Sequence, residues 1–259
     1  LAPELKDSLG ITTEQYSWIV GGFQLAYTLF QPLCGWLIDV IGLKIGFMIC
    51  ASLWGIACLL HAGAGSWIQL ALLRFFMGGA EASATPANAK IIGEWFPKSE
   101  RPVAAGWAGV GFSIGAMLAP PIIYFAHASF GWQGAFMFTG ALAILWVFLW
   151  WACYNTPEEH PNLSKNELNF IRQDNEAPPV KMPFLTALKT VSKNKRFYGI
   201  AIPAFMAEPA WAVMSFWVPL YLAKAYGMDL KQIALFAWLP FLCADLGSIA
   251  SGYLTKLYT

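Results

Sequence analysis

An arginine and a glutamate stand seven residues apart inside a long apolar stretch, "LLRFFMGGAEASATPA" at 72–87. Seven residues make about two turns of helix, so Arg74 and Glu81 lie on one face, about 10.5 Å apart along the axis. A charge inside hydrocarbon is costly unless it faces a cavity or a partner. A guanidinium suits capture of a carboxylate, and a carboxylate in a dry pocket suits proton exchange. We therefore expect Arg74 to help neutralise an anion and Glu81 to bind and release a proton. A permanent ion pair with another helix is the alternative.

The composition places these two charges in a membrane protein. Of 259 residues, 58% are hydrophobic and only 12% are charged, against roughly 25% charged in soluble domains. The mean hydropathy is +0.52. Only helices and closed barrels satisfy the backbone in lipid, and a spanning helix needs about 20 apolar residues. Seven stretches meet that length: 16–38, 46–64, 67–92, 103–126, 132–153, 198–222 and 231–254. The sequence predicts an all-α integral membrane fold.

The distribution of lysine and arginine predicts the topology. The connections after the first, third and fifth predicted spans carry these residues, whereas "HAGAGS" and "HASFG", after the second and fourth, carry none. Basic connections stay in the cytoplasm. The polar segment 154–197 is then a cytoplasmic loop, in which Ser164 and Glu167 match a capping box for a short helix. We expect one half of the protein at 1–153, the loop at 154–197, and the start of a second half at 198–259.

A weak internal repeat refines this picture. Residues 10–37 align with 227–254 at an offset of 217, with identities that include Gly10, Gln15, Leu25, Gly35 and Leu37. The offset covers six predicted helices, so the first and seventh spans occupy equivalent places with the same orientation. Parallel repeats of six helices are the plan of major facilitator transporters. On that plan the chain corresponds to about spans 2–8 of twelve, and we expect the isolated piece not to transport.

The connection after the first span reads "GWLIDVIGLKIG". It resembles the loop signature of the major facilitator superfamily: a Gly, three residues, an Asp, two residues, a Gly, then basic residues. Gly35 and Gly42 permit close helix contact and a tight turn. Asp39 can pair with basic groups, or cap a helix start, in one state of a gate. Because the usual arginines beside the second glycine are absent, we expect any charge relay to involve Asp39 and Lys44. A solvated turn is the alternative.

Other stretches narrow the resemblance. "RFFMGGAEASATPA" resembles the fourth-span pattern of the anion:cation symporter family, and "AEPAW" and "LKQIALFAWLPFLCADLG" resemble bacterial hexuronate transporters. The resemblance covers essentially the whole chain. It implies proton-coupled uptake of galacturonate and glucuronate by alternating access. It also implies that Arg74 belongs to the substrate and coupling network, that Glu81 is the proton site, and that Tyr27 contacts the sugar acid.

Two further acids stand in apolar stretches, Glu208 in "MAEPAW" and Asp245 in "CADLG". Glu208 and Trp211 could line a central cavity from the second half, where the tryptophan would offer a flat face to the sugar ring. Either acid could instead be structural and paired. The predicted substrate contacts are Tyr27, Arg74, Glu208 and Trp211.

Other functions remain open at this point. The cargo could be another organic anion, such as an aldonate or glucarate. A drug efflux antiporter of the same fold would not need an anion-binding Arg74. A seven-helix receptor or light-driven pump disagrees with the repeat, and the last predicted span has no lysine in mid-membrane to hold retinal.

An enzyme is not expected, because no nucleophile stands at workable spacing from a base. The three histidines and five cysteines lack metal-ligand spacing, so we expect packing roles, no metal and no cofactor. The predicted partners are a sugar-acid anion, protons and the lipid bilayer of the cell's inner membrane. We expect no nucleic acid and a monomeric protein.

Overall fold

The computed structural model describes residues 8–174, 180–212, 221, 225–227 and 239–257; the side chains at 120–121, 208–212 and 240–241 lie outside the description. Within these ranges all regular structure is helical, which confirms the predicted all-α class.

Two helices joined by a single residue open the described chain, α1 (Thr13–Ile41) and α2 (Leu43–His61). A capping box begins α1, because the Thr12 side chain accepts from the Gln15 amide and the Gln15 side chain accepts from the Thr12 amide. Gly42 separates the helices with a φ of 100°. Such a φ is strained for any residue with a Cβ, so the glycine is required at this turn.

The predicted span 67–92 is two helices and not one: α3 (Trp67–Glu81) and α4 (Ala84–Trp95). The interruption is local, because Ala82 and Ser83, which separate the two helices, keep right-handed helical φ and ψ values. Pro86 has no amide hydrogen, so the Ala82 carbonyl receives no helical hydrogen bond from it. At the break the chain tightens, and the Ser83 hydroxyl donates to the Ala80 carbonyl at 2.8 Å. The helix thus ends immediately after Glu81.

Helical backbone then runs over α5 (Arg101–Cys153), interrupted at Gly131. Its φ of 70° and ψ of −173° are not helical, so two helices meet at this residue. The break falls on the last residue of the predicted connection "HASFG". Three helices of the described part are long and apolar enough to cross a membrane: Leu43–His61, Arg101–Ala119 and Ile122–Cys153.

Shorter elements follow in the polar segment. A turn of 3-10 helix covers Pro157–Glu159, and α6 covers Lys165–Ile171. The predicted capping box is confirmed, because the Ser164 hydroxyl accepts from the Glu167 amide and the Glu167 carboxylate accepts from the Ser164 amide. Helices α7 (Phe184–Lys193), α8 (Lys195–Ala212) and α9 (Leu239–Leu257) complete the described elements.

The chain forms two compact units. The first contains Leu1–Arg101 with Leu118–Lys181, and the second contains Pro102–Met117 with Met182–Thr259. In the first unit α1 packs along α3. The contact is close at Gly78, where a Cβ would lie 2.5 Å from the Phe23 carbonyl oxygen. This approach sets the position of the α3 face that carries Arg74 and Glu81.

Candidate functional site

The first unit encloses a cavity of about 700 Å³ between α1, α2, α3 and α5. Both Arg74 and Glu81 line it. Their spacing of seven residues predicts that they lie on one face of a helix, and this prediction is confirmed. Because α3 ends at Glu81, the carboxylate lies beside the break, whereas Arg74 lies two turns earlier on an unbroken helix.

The two charges have no fixed polar partner in the part of the chain that the structure describes. Neither Arg74 nor Glu81 forms a hydrogen bond or an ion pair with another described side chain. The Arg74 guanidinium carbon lies 6.0 Å from the centre of the Phe23 ring, at the outer limit of a cation–π contact. A permanent ion pair, the alternative reading, is therefore not formed by either charge within these residues. Both remain available to a solute in the cavity.

Most of the remaining wall is apolar or aromatic, including Ile19, Trp54, Met77 and Phe136. Thr139 also lines the cavity, but its hydroxyl donates to the Ala135 carbonyl of its own helix at 2.9 Å. Such a wall lowers the local dielectric constant around a bound anion and thereby strengthens its interaction with Arg74.

His61 is a polar cavity residue that the sequence interpretation assigned to packing. It is fully buried, its ring stacks on Phe136 with centroids 4.9 Å apart, and Nδ1 lies 2.6 Å from the Ala57 carbonyl oxygen. With Nδ1 donating to that carbonyl, Nε2 is an acceptor, and it has no hydrogen-bond partner among the described residues. The sequence signal was the spacing of Trp54, Cys58 and His61 at i, i+4 and i+7, which places them on one face of α2. All three line the cavity.

The other predicted substrate contacts are not brought to this cavity. The Tyr27 hydroxyl lies 3.2 Å from Oγ1 of Thr85, at the start of α4, and Tyr27 is not part of the cavity wall. Its substrate contact stays a prediction. Glu208 and Trp211 fall on the helical backbone of α8, but their side chains lie outside the described residues.

Asp245 has a partner within the second unit. The Ser113 hydroxyl donates to its Oδ1 at 2.6 Å. The helices that carry these residues approach closely, since a Cβ on Gly252 would lie 2.5 Å from the Pro102 carbonyl oxygen. A paired, structural role for Asp245, one of the two sequence interpretations, agrees with this geometry.

The loop signature pairs differently from the expectation. Asp39 forms its ion pair with Lys90 of α4, whose Nζ lies 2.7 Å from Oδ1. Lys44 instead donates to Oδ1 of Asn155 at 2.9 Å. The two residues have different partners among the described residues, and a gating role for Asp39 and Lys44 stays a prediction. Gly42 makes the predicted tight turn, and Gly35 lies against Pro86, where a Cβ would be 3.4 Å from Cβ of Pro86, about van der Waals distance.

The segment after α5 attaches to the end of α4 through Glu94. The Tyr154 hydroxyl donates to the Glu94 carboxylate at 2.7 Å, and burial, followed by the nearby negative charge, raises the Tyr154 pKa. Arg172 donates to the Glu94 carbonyl at 3.1 Å and to the Glu158 carboxylate at 2.7 Å. Partial burial acts to raise the Glu158 pKa, but the hydrogen bonds and charge of Arg172 outweigh it, so that pKa lies below its ordinary value.

Comparison with known proteins gives the family. The model of the Major Facilitator Superfamily matches residues 1–258. The chain is 44% identical over 258 residues to the hexuronate transporter of Escherichia coli K12, covering 99% of the chain and 60% of that protein. It is 44% identical over 259 residues to the galacturonate transporter of Dickeya chrysanthemi, covering 99% and 75%. It is 28% identical over 262 residues to the D-galactonate transporter of Escherichia coli O6:H1, covering 98% and 61%.

The chain thus spans about 60% of the length of the hexuronate transporter that it matches. The predicted resemblance to hexuronate transporters is confirmed, as is the expectation that the protein is not an enzyme. The chain belongs to the major facilitator superfamily, as a multi-pass protein of the inner membrane.

Proposed function

We propose that this protein is a secondary active transporter that takes up hexuronates together with protons by alternating access. The observation that carries the proposal is that Arg74 and Glu81 line one cavity without a fixed polar partner among the described residues. The names of the relatives at 44% identity, hexuronate transporter and galacturonate transporter, support the class of cargo.

Arg74 is the anion contact in this proposal. Its guanidinium binds the carboxylate of the sugar acid with two hydrogen bonds, a geometry that lysine does not reproduce. The cavity of about 700 Å³ lies within the roughly 300–1,000 Å³ of small-molecule sites. Tyr27, Glu208 and Trp211 are proposed as further contacts made in other conformations or by the second half.

Glu81 is the proton site. Its carboxylate shares the cavity with Arg74, so an ionised Glu81 competes with the substrate carboxylate for the positive charge. A proton on Glu81 removes that competition, and anion and proton then load together. Release of the proton on the opposite side weakens anion binding there, which gives coupling without direct contact between the two ligands.

The broken span supplies a place for movement. Because α3 ends at Glu81 and α4 begins at Ala84, the two helices can change their mutual angle without breaking a continuous hydrogen-bond ladder. The Asp39–Lys90 ion pair joins α4 to the end of α1. We propose that this pair forms and breaks as the cytoplasmic gate closes and opens, with Gly35 and Gly42 allowing the close packing of the closed form. Lys44 supports this end of the first unit through Asn155.

A second cargo class is an aldonate, since a D-galactonate transporter is also a relative, at the lower identity of 28%. Aldonates share the carboxylate and lack the closed ring. An efflux antiporter for drugs is the weaker alternative, because a cavity for neutral or cationic drugs has no use for a guanidinium in its wall.

The test is uptake of labelled galacturonate into proteoliposomes that contain the full-length protein, with and without an inward proton gradient. We expect accumulation only with the gradient. Glu81→Gln should lose accumulation and keep exchange of labelled for unlabelled substrate, because exchange needs no net proton movement. Glu159→Gln is the matched control, an exposed glutamate outside the cavity. Gradient-dependent accumulation by Glu81→Gln would contradict the role of Glu81 in proton coupling. Transport of galactonate but not of galacturonate would show that the cargo is an aldonate and not a hexuronate.

A further inference from the structure

Helix α7 (Phe184–Lys193) carries an apolar face that its own unit leaves largely uncovered, since none of its residues is buried. On this face Leu188 and Val191 are almost half exposed. Ala187, Leu188 and Val191 lie on one side of a 3.6-residue helix, while Lys189 and Lys193 lie on the other. A helix of ten residues is marginal in water by itself, so burial of this face contributes strongly to its stability.

The charge around α7 has a single sign. From Lys181 to Ala207 the sequence contains five lysines and arginines and no aspartate or glutamate: Lys181, Lys189, Lys193, Lys195 and Arg196. Lys189, Lys193, Lys195 and Arg196 are exposed. A face of leucine and valine beside a cluster of cations is the pattern of a helix that lies in a membrane interface and binds anionic headgroups.

The connection to α8 fixes where this helix lies. Asn194 alone separates α7 from α8, and its extended backbone, with φ −81° and ψ 115°, prevents the α7 axis from continuing into α8. The Asn194 side chain accepts from the Arg196 amide at 3.0 Å, and the Tyr198 hydroxyl donates to the Ser192 carbonyl at 2.9 Å. Helix α8 begins the predicted sixth span at this corner. A crossing α8 therefore places α7 at the boundary between membrane and cytoplasm.

We propose that α7 lies on the cytoplasmic leaflet, with Leu188 and Val191 in the acyl boundary and Lys189 and Lys193 bound to anionic phospholipid headgroups. The cytoplasmic leaflet carries the anionic lipids that attract such segments. The helix thereby holds the start of the second half at a fixed depth. The inference does not depend on which anion the protein carries.

The experiment is hydrogen–deuterium exchange on the full-length protein in nanodiscs, read from peptides that cover 184–193. One disc is phosphatidylcholine alone, and the other is equal parts phosphatidylcholine and phosphatidylglycerol. One lysine near an anionic surface strengthens binding about fivefold, so we expect exchange to be at least about fivefold slower in the anionic disc. Added salt should remove this difference, because it screens exposed charges.

Matched variants separate the two parts of the proposal. Lys189→Glu should lose the effect of phosphatidylglycerol, whereas Lys165→Glu, an exposed lysine at the start of α6, should keep it. Leu188→Ser should speed exchange in both discs, whereas Val180→Ser, 77% exposed and outside the helix, should not. Equal exchange of the unaltered protein in the two discs would overturn the anionic-lipid proposal. Protection that persists in detergent without lipid would assign the apolar face to a protein contact and would overturn it as well.

Discussion

Lys90 supplies the cation for Asp39, with Nζ 2.7 Å from Oδ1, although the two residues are 51 positions apart in the sequence. The same Nζ lies 3.4 Å from the Ile38 carbonyl oxygen at the end of α1. A lysine here satisfies both the carboxylate and the negative end of the helix. The pair therefore ties α4 to the end of α1.

This pairing predicts coupling between Asp39 and Lys90 and none between Asp39 and Lys44. The Asp39 side chain is 59% exposed and that of Lys90 is 18% exposed, so we expect a coupling energy of only about 0.5–1 kcal/mol. The measurement is a double-mutant cycle with Asp39→Asn and Lys90→Met on the free energy of unfolding in detergent. The matched cycle replaces Lys90→Met with Lys44→Met, because Lys44 bonds Asn155. Equal coupling in the two cycles would contradict the assignment.

The sequence predicts local features of this fold better than distant contacts. The shared face of Arg74 and Glu81 follows from helical periodicity alone, and the capping box at Ser164 depends on residues three positions apart. The partner of Asp39 lies in another helix, so it depends on how α1 and α4 pack. The sequence therefore indicated only the nearby Lys44 for a charge relay with Asp39, and gave no sign of Lys90.

The broken third span and His61 are two features that the sequence did not predict. Pro86 was visible in the sequence, but an apolar stretch of 26 residues with one proline is compatible with either a kink or a break. His61 stands among apolar residues, and only the packing of α2 against α5 shows its ring against Phe136 and on the cavity wall. Side chains that act together from different helices are not encoded in local spacing.

Gly78→Ala should destabilise the protein, because the new Cβ would lie 2.5 Å from the Phe23 carbonyl oxygen and 3.0 Å from its ring. Overpacking of this kind costs about 1–3 kcal/mol, and it should also displace the α3 face that carries Arg74. Gly93→Ala is the control, since a Cβ there meets nothing within 4 Å and alanine favours the helix by about 1 kcal/mol. The measurement is the unfolding midpoint of both variants. A Gly78→Ala protein as stable as Gly93→Ala would disprove the close approach of α1 and α3.

The Glu158–Arg172 contact should respond to acid. Its hydrogen bonds to Arg172 hold the folded-state pKa of Glu158 below the ordinary value. A depressed folded-state pKa means that the stabilisation is complete above the unfolded-state pKa and is lost as the pH falls through the folded-state pKa. We therefore expect local stability of 157–172 to decline only at acidic pH, below roughly 4.3.

The measurement is the rate of limited proteolysis within 157–172 by an acid-active protease at several pH values. The Glu158→Gln protein should be cleaved at a rate that changes little with pH. At the lowest pH, its cleavage rate should equal that of the unaltered protein. Glu159→Gln, its exposed neighbour, should follow the unaltered protein throughout. Identical pH profiles for Glu158→Gln and the unaltered protein would remove Glu158 as the titrating group.

Arg74→Ala should weaken binding of galacturonate by the full-length protein about 10- to 100-fold, the value of a charge-assisted hydrogen-bonded pair. Arg74→Lys should recover only part of the loss, because lysine keeps the charge but not the planar pair of donors. The measurement is titration calorimetry in detergent, with Arg172→Ala as the control, since Arg172 bonds Glu158 and the Glu94 carbonyl outside the cavity. An unchanged affinity of Arg74→Ala for galacturonate would show that the guanidinium does not bind the anion. The cavity would then resemble that of a transporter for uncharged cargo, with Arg74 held by a partner outside the described residues.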